Sequence, residues 1–320
     1  MARPTPLHPR PAKRLASHAD AHAKPRVLPV SRPGRCAAVA GAGVFDQVEQ
    51  TDPFLSIDIF RRHGASIPPH PHAGCTVATY LFPDSTTAMR CRHAHGGDDV
   101  VRPGDLLWLD TNCGTVHEEL PEHAGAIARG VRMIVNRAGR HAHGAPAQTV
   151  VRADAMPHWR EGALALTLVC GQWHERRVPR EVQEMHASHE IRGGSEKGER
   201  NDVGERTTLL QLDWQEDDLR TLRVPCDGRR WIALMVRGDA ALAGHALRAE
   251  GGAAQALALP PGEWQLAGRA GTRLLLAGGE PLGEPVVYRG NFAARDESDL
   301  VALTRRYQQG AMGTLTCPGE

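Results

Sequence analysis

The sequence predicts an all-β protein, a sandwich or a barrel. Short apolar runs recur along the chain, and several of them alternate with the period of two that a half-buried strand requires. The 34 glycines and 23 prolines punctuate these runs as turns do. Helical periodicity stands out only near the C-terminus. The predicted strands lie within 76–82, 105–109, 130–136, 165–171, 207–214, 230–238, 255–260 and 272–279.

The first part of the chain has a different composition. Residues 1–35 hold seven prolines, eight Lys or Arg residues and a single acidic residue, Asp20. Such a segment buries little apolar surface, so residues 1–44 are predicted to be a disordered, basic, Pro-rich tail. An organelle-targeting segment or a nucleic-acid arm is the alternative, but the prolines oppose the amphipathic helix that a transit peptide needs.

A polar stretch at 174–206 separates two groups of predicted strands. It contains "RGGSEKGERND" and is interpreted as a linker or a long loop between two β units. Its Met185, His186 and His189 are predicted to form a surface or short-helix cluster rather than a metal site, since no second ligand pair lies near at strand spacing.

The segment 295–310, "RDESDLVALTRRYQQG", predicts an amphipathic helix. Acidic residues occupy its first turn, apolar residues recur at Leu300, Leu303 and Tyr307, and Gly310 provides a stop signal. Its expected role is to pack on a barrel wall.

Bulk composition excludes several classes of protein. A formal net charge of +1 gives no reason to expect direct binding to nucleic acid or to a membrane surface. The sequence has no apolar run of membrane-spanning length. Seven cysteines, an odd number without a CxxC pair, indicate a reducing compartment, so a cytoplasmic location is expected.

Three His-x-His pairs occur among 17 histidines, so spacing alone does not identify a metal site. On a strand, residues i and i+2 point to the same face and can converge on one ion. His70 and His72 lead directly into a predicted strand. The other two pairs run into a turn or lie in a loop; they are His93/His95 and His141/His143.

A second pair completes the candidate site. His117 and Glu119 are again two residues apart and follow the predicted strand at 105–109. Three imidazoles and one carboxylate suit Fe(II), Mn, Ni or Zn, and on an octahedral ion they would leave one or two positions open. The alternative is that these histidines are hydrogen-bonded polar residues of the core.

Several ordered blocks of sequence resemble pirins. They are "DPFLSIDIF" (52–60), "PPHPHAGCTVATYL" (68–81), "RPGDLLWLDTNCGTVHEELPE" (102–122), "GVRMIVN" (130–136) and "LGEPVVYRGNFAARDESDLVALTRRYQQGAMG" (282–313). The resemblance implies a bicupin of the cupin superfamily: two packed jelly-roll β-barrels with a C-terminal helix. It implies a metal-binding barrel at 45–160 and a second barrel without metal at 161–313, which includes the helix.

By position, the resemblance implies that His70, His72, His117 and Glu119 bind one divalent metal, most often iron. It implies a quercetin 2,3-dioxygenase-type reaction of O2 with a flavonol-like or enolic substrate, with Glu119 as general base. The alternative activity is regulation by binding a transcription factor or an enzyme. Two fused barrels remove the usual need of a cupin to dimerise, so a monomer is expected.

The chain departs from the usual pirin pattern beside both ligand pairs. Ala73, Cys75 and Thr76 replace Arg, Phe and Glu, and Asn112-Cys113-Gly114-Thr115 replaces Gly-Arg-Gly-Ile. Two further expectations concern the surroundings of the site. Cys75, Cys91 and Cys113 are expected to be small buried residues. The alternative is that they are exposed and make a regulatory surface sensitive to oxidation. Five apolar residues are each expected to be plain barrel core, with a wall of the substrate pocket as the alternative role: Leu55, Val77, Tyr80, Trp108 and Met133.

Overall fold

The computed structural model describes residues 24–31, 39–45, 47–64, 67–123, 125–137, 144–178, 206–249 and 256–316. In these ranges, two α-helices, α1 (Val48–Thr51) and α2 (Glu297–Gln308), and a 3-10 helix at Ala153–Ala155 accompany 25 strands. In chain order the strands are β1 (Arg26–Leu28), β2 (Val39–Phe45), β3 (Phe54–His63), β4 (Ile67–His72), β5 (Cys75–Leu81), β6 (Met89–His93), β7 (Asp98–Val101), β8 (Leu106–Asp110), β9 (Thr115–Pro121), β10 (Ile127–Asn136), β11 (Ala147–Val151), β12 (His158–Glu161), β13 (Leu164–Cys170), β14 (Gln172–Trp173), β15 (Arg176–Arg177), β16 (Thr207–Trp214), β17 (Asp218–Val224), β18 (Arg230–Arg237), β19 (Asp239–Leu242), β20 (His245–Arg248), β21 (Ala256–Leu259), β22 (Gly262–Gly268), β23 (Arg273–Gly279), β24 (Val287–Arg289) and β25 (Phe292–Ala294).

The first barrel consists of two antiparallel sheets. One has the strand order β11-β8-β5-β10-β3-β2 and the other β4-β9-β6-β7. Phe60 and Leu81 of the first sheet share a buried cluster with Met89 and Cys91 of the second. Side chains of both sheets therefore meet inside the barrel, as in a closed sandwich of two sheets.

The second barrel repeats this plan. A sheet of order β1-β21-β18-β23-β16-β13-β12 faces a sheet of order β17-β22-β19-β20. One continuous apolar cluster joins this barrel to the first, because Ile57, Tyr80 and Met133 pack with Leu168 and Leu210. The fold class predicted from the sequence, two packed β-barrels with a C-terminal helix, is confirmed.

The prediction of a disordered tail over residues 1–44 is wrong where the structure describes that segment. β1 pairs with β21 in the second barrel, and β2 pairs along its length with β3 in the first. The prediction from composition failed because the segment contains, among its many prolines and charged residues, a few apolar residues that are buried. One of them is Leu28, which is 1% exposed.

The C-terminal helix is confirmed as α2, and the Asp296 side chain caps it by accepting hydrogen bonds of 2.9 Å from the backbone N–H groups of Ser298 and Asp299. The sequence assigned the helix to the second barrel. In the structure Leu300 packs instead with Ala73 and Val116 of the first barrel.

Two regions raised by the sequence lie outside the described residues: the pair His141/His143 and the cluster Met185, His186 and His189. The division at residues 160 and 161 stays a prediction, although the described chain passes from the first barrel to the second between β11 and β12. Among the described helices, none has both the length and the apolar character that crossing a membrane requires.

Candidate metal centre

Two neighbouring strands carry the candidate ligands. β4 pairs with β9 so that His70 lies opposite His117 and His72 opposite Thr115. Because directly opposed residues of antiparallel strands point to the same face, all three imidazoles enter the barrel interior. β4, with the sequence "IPPHPH", is the edge strand of its sheet. Proline has no backbone N–H group to donate, and an edge strand tolerates this because it pairs on one side only.

The three imidazoles converge as a metal site requires. One nitrogen from each of His70, His72 and His117 lies within 4.8 Å of the others. Nε2 of His117 is 2.9 Å from Nε2 of His70. The ring centroids are 4.3–5.0 Å apart, so the rings are clustered around one point rather than stacked.

The nitrogens of this cluster fit a metal ion better than a hydrogen-bonded core. Both ring nitrogens of His72 and Nδ1 of His117 are buried with no hydrogen-bond partner among the described residues. Buried polar groups of native proteins are nearly always paired. Nδ1 of His70 lies 2.8 Å from the carbonyl oxygen of Pro68, so this nitrogen donates. The lone pair of His70 is then on Nε2, which points toward Nε2 of His117 at 2.9 Å.

Electrostatics keeps the three imidazoles neutral, which is the form that binds metals. Burial lowers the pKa of His117 to about 3, and the nearby His70 adds to this effect. Burial also lowers the pKa of His72 well below its usual value, and that of His70 less strongly because its hydrogen bond to Pro68 opposes the shift.

Glu119, the fourth predicted ligand, faces the same interior but is not among the three groups that lie within 4.8 Å of one another. Its carboxylate accepts hydrogen bonds from Arg62 Nη1 and, at 3.3 Å, from Thr79 Oγ1. Burial alone would raise the pKa of Glu119. The positive charges of Arg62 and Arg132 outweigh burial and hold the pKa well below its usual range, so Glu119 is an anion at neutral pH. Its role as a metal ligand stays a prediction.

Sequence reasoning missed two arginines of this interior, one buried and one half-buried. Arg62 on β3 pairs with Glu119, and Arg132 on β10 donates to Asp58 at 3.3 Å. The attraction of Asp58 raises the pKa of Arg132. The sequence does contain a signal for Arg62. It is two residues from Phe60 and four from Asp58, so all three side chains point to the same face of β3. That face is the interior one, where a charged residue is unusual unless it is paired.

The C-terminal segment 286–316 closes this side of the barrel. The backbone N–H of Ala293 donates to the carbonyl of Ala73, the residue after His72, at 2.9 Å. The N–H of Val116, the residue before His117, donates to the carbonyl of Met312 at 3.1 Å. Ala73 is fully buried in the cluster that holds Met312, which leaves no room for the Arg usual in pirins at this position.

The five candidates for a pocket wall fall into two groups, according to the face of the strand on which each lies. Tyr80 and Met133 belong to the apolar cluster shared with the second barrel, and Trp108 packs against that cluster. These three residues belong to the core between the barrels, in agreement with the favoured reading of barrel core. Leu55 and Val77 belong instead to a cluster within the first barrel that also holds Ala293 of the C-terminal segment.

The expectation that these cysteines are small buried residues is confirmed for two of the three. Cys75 and Cys91 are fully buried, and Cys113 is half-buried. Burial raises the pKa of Cys75 to about 12 and that of Cys91 well above its usual value. Both thiols are thus protonated at neutral pH, and the protonated form is the unreactive one. The structure gives the redox-regulation alternative no specific support.

Two packed β-barrels with a three-histidine centre in the first define the chain as a bicupin with a candidate mononuclear metal site. Comparison with known sequences identifies the family within this class of protein. The family model for pirin matches residues 36–135, and that for the pirin C-terminal cupin domain matches residues 211–313. The chain therefore belongs to the pirin family.

Individual relatives agree. A Pseudomonas aeruginosa protein, provisionally named a quercetin 2,3-dioxygenase, is 25% identical over 270 residues, which cover 82% of this chain and 88% of that protein. The crystal structure of a quercetin 2,3-dioxygenase from Acinetobacter baumannii has a TM-score of 0.74 at 16% identity, with 93% of this chain and 97% of the other covered. A bacterial pirin from Escherichia coli, solved with nickel(II), has a TM-score of 0.55 at 13% identity, covering 81% and 100%. At these identities the solved structures support the fold alone.

Proposed function

We propose that this pirin is a mononuclear metal-dependent dioxygenase of the quercetin 2,3-dioxygenase type. One divalent ion, Fe(II), would be held by His70, His72 and His117. The substrate would be a flavonol-like or enolic aromatic compound, and O2 the second substrate. The observation that carries the proposal is the convergence of three imidazole nitrogens in a barrel interior where three buried ring nitrogens have no partner among the described residues.

The chemistry of the donor set supports the choice of metal. Three neutral imidazoles without a thiolate suit Fe(II), and they also suit Mn(II), Ni(II) and Zn(II). The nickel(II) complex of the E. coli pirin supports a divalent ion in this fold. When bound, the ion would supply a Lewis acid for the enolic oxygen of the substrate and a centre for reaction with O2.

The protein supplies a dry, oriented site around that chemistry. His72 and His117 are 2% and 1% exposed, so bulk water has little access to the ligand side chains. We propose Glu119 as the group that receives the hydroxyl proton of the substrate. It is ionised, and Arg62 and Thr79 orient its two oxygens, so it can accept a proton from a fixed position. Its lowered pKa makes it a weak base, since a general base is most effective when its pKa lies near the working pH.

Oxygen-dependent loss of quercetin tests the proposal. The protein is loaded with Fe(II) without air, mixed with quercetin in air-saturated buffer, and the loss of flavonol absorbance is followed. The His72→Ala variant should lose the activity, while His245→Ala, which changes a histidine of β20 in the second barrel, should retain it. Equal rates for His72→Ala and the unchanged protein would refute the role of the metal site. No loss of quercetin with the metal-loaded protein would refute the proposed substrate.

A further inference from the structure

Arg132 lies inside the first barrel, on the face of β10 that points toward the candidate metal centre. In the register of its sheet it lies opposite Asp58 of β3 on one side and Thr79 of β5 on the other, so the three side chains share one face. Thr79 shows where that face points, because its Oγ1 donates at 3.3 Å to Glu119 of the facing sheet. Glu119 in turn shares its face of β9 with His117. Arg132 is therefore beside the metal centre although it is not one of its ligands.

The positive charge of Arg132 acts on all three imidazoles. Burial is the main cause that lowers the pKa values of His70, His72 and His117, and the charge of Arg132 lowers each of them further. A Coulomb interaction weakens with distance, so one charge that acts on three rings faces the cluster as a whole. A molecule bound at the histidines would thus lie close to this guanidinium.

The guanidinium of Arg132 has donors that the protein does not use. Its Nη2 donates to Oδ2 of Asp58 at 3.3 Å, a long hydrogen bond and the one that Arg132 makes among the described residues. A guanidinium has five N–H donors in a planar fork that matches a carboxylate. The Arg132 side chain is 22% exposed, whereas that of Arg62, which binds Glu119, is 3% exposed. Of these two arginines, Arg132 is the one that a ligand can reach.

The balance of charge in this interior favours an anionic ligand. Two guanidiniums, of Arg62 and Arg132, are matched there by two carboxylates, of Asp58 and Glu119. Burial keeps the three histidines neutral. A divalent ion at the histidines would then add two positive charges without a counter-charge, and a largely buried charge without its counter-ion is unfavourable. An anionic group on the substrate would offset part of that charge.

We propose that Arg132 binds a carboxylate of the substrate, and that the substrate is an enolic or hydroxyaromatic acid rather than a neutral flavonol. The inference rests on the proposed function for the metal at the three histidines, to which the enolic oxygen would bind. The substrate carboxylate would accept charge-assisted hydrogen bonds from the guanidinium. Arg132 is thereby a specificity-determining residue of the site.

Equilibrium binding of acids and of their neutral amides tests this without turnover. The protein is loaded with Zn(II), which is redox-inert, and titrated with 3-hydroxy-2-naphthoate, 6-hydroxy-2-naphthoate and the amide of each. The fluorescence of the naphthalene ring gives the dissociation constants, and the two isomers differ in the separation of hydroxyl and carboxylate. The variants are Arg132→Gln, which removes the charge, and Asp58→Asn, which removes the partner of the guanidinium. Arg61→Gln is the matched control, since it removes an exposed charge from β3.

At least one acid should bind the unchanged protein about tenfold more tightly than its amide, the scale of a hydrogen bond between charged groups. Arg132→Gln should abolish that preference and leave the binding of the amide unchanged. Asp58→Asn should increase the preference, because the guanidinium is released from its protein partner. Arg61→Gln should change neither the preference nor the binding of the amide.

Equal binding of acid and amide by the unchanged protein, or no binding of either, would overturn the proposal. A preference that persists in Arg132→Gln would assign the carboxylate to the metal and would also overturn it. If Arg132→Gln does not fold, Asp58→Asn decides, and an unchanged preference in that variant would count against Arg132.

The proposed function can fail separately. Binding as expected, without consumption of O2 when the Fe(II) protein meets the preferred acid or quercetin, would leave the acid site standing and remove the dioxygenase activity. Oxygen-dependent loss of quercetin without any preference for acids would keep the activity and overturn the role of Arg132.

Discussion

Met312 offers a test of how far the C-terminal segment determines the metal site. Its side chain is fully buried, and its backbone carbonyl accepts the hydrogen bond of Val116, next to His117. Met312→Ala removes Cγ, Sδ and Cε from this contact. Transfer of those atoms to water costs roughly 2 kcal/mol. The cavity that remains raises the expected loss to about 3 kcal/mol of the free energy of unfolding.

The same change should weaken metal binding, because the side chain supports the turn at Gly114 that leads into β9; a Cβ built on Gly114 would lie 2.6 Å from Met312 Sδ. We expect divalent metal to bind about tenfold more weakly, as when a group supporting a ligand is removed. The measurements are urea unfolding of the apoprotein and metal titration of the folded protein.

Met235→Ala is the matched control. Met235 is equally buried, on β18 of the second barrel. It should lose a similar free energy of unfolding and keep its metal affinity. If Met312→Ala costs less than about 1 kcal/mol, the packing argument fails. If it destabilises but binds metal normally, the C-terminal segment does not position the ligands.

Three further predictions concern Gly114, two buried cysteines and the bound metal. Gly114→Ala should destabilise the protein by about 2 kcal/mol more than Gly96→Ala in urea unfolding, because both glycines have positive φ but only Gly114 would also press a Cβ against Met312; equal losses would contradict this. Burial raises the pKa values of Cys75 and Cys170 to about 12, so folded thiols keep protons that unfolded thiols release, and the free energy of unfolding should fall between pH 9 and 12. Replacing both by Ala should reduce that slope without removing it, because burial also raises the pKa of Cys91, and an unchanged slope would refute the assignment. Divalent metal at a hundredfold excess over its dissociation constant should raise the free energy of unfolding by about 2.7 kcal/mol, reversibly on chelation, and no shift in the urea midpoint would count against a specific site.

Much of the site was predictable because it is local in sequence. Placement next to a strand selected His70 and His72 from three equal pairs, and period two put His117 on the matching face. The structure brings these three imidazoles together. A pattern within one strand carries that information, since side-chain direction follows from backbone periodicity alone.

The ion pair between Glu119 and Arg62 was not predictable in the same way. The parity of Glu119 is right, but its partner Arg62 lies 57 residues earlier on the other sheet. The ion pair depends on a contact between two sheets, and no local sequence pattern contains that contact. The same holds for Tyr80 and Met133, whose strands are apolar on both faces, so the sequence does not show which face meets the second barrel.

Each barrel includes a segment from the opposite end of the chain. The N-terminal strand β1 pairs in the second barrel, and residues 286–316 pack against the first. This arrangement orders events during synthesis. The ribosome finishes His117 long before Met312, and at about 5–20 residues per second the interval is on the order of ten seconds or more. During that interval the nascent first barrel lacks its last wall. We therefore expect a durable metal centre to form only after nearly the whole chain has been translated, and we expect that neither half expressed by itself reproduces its barrel.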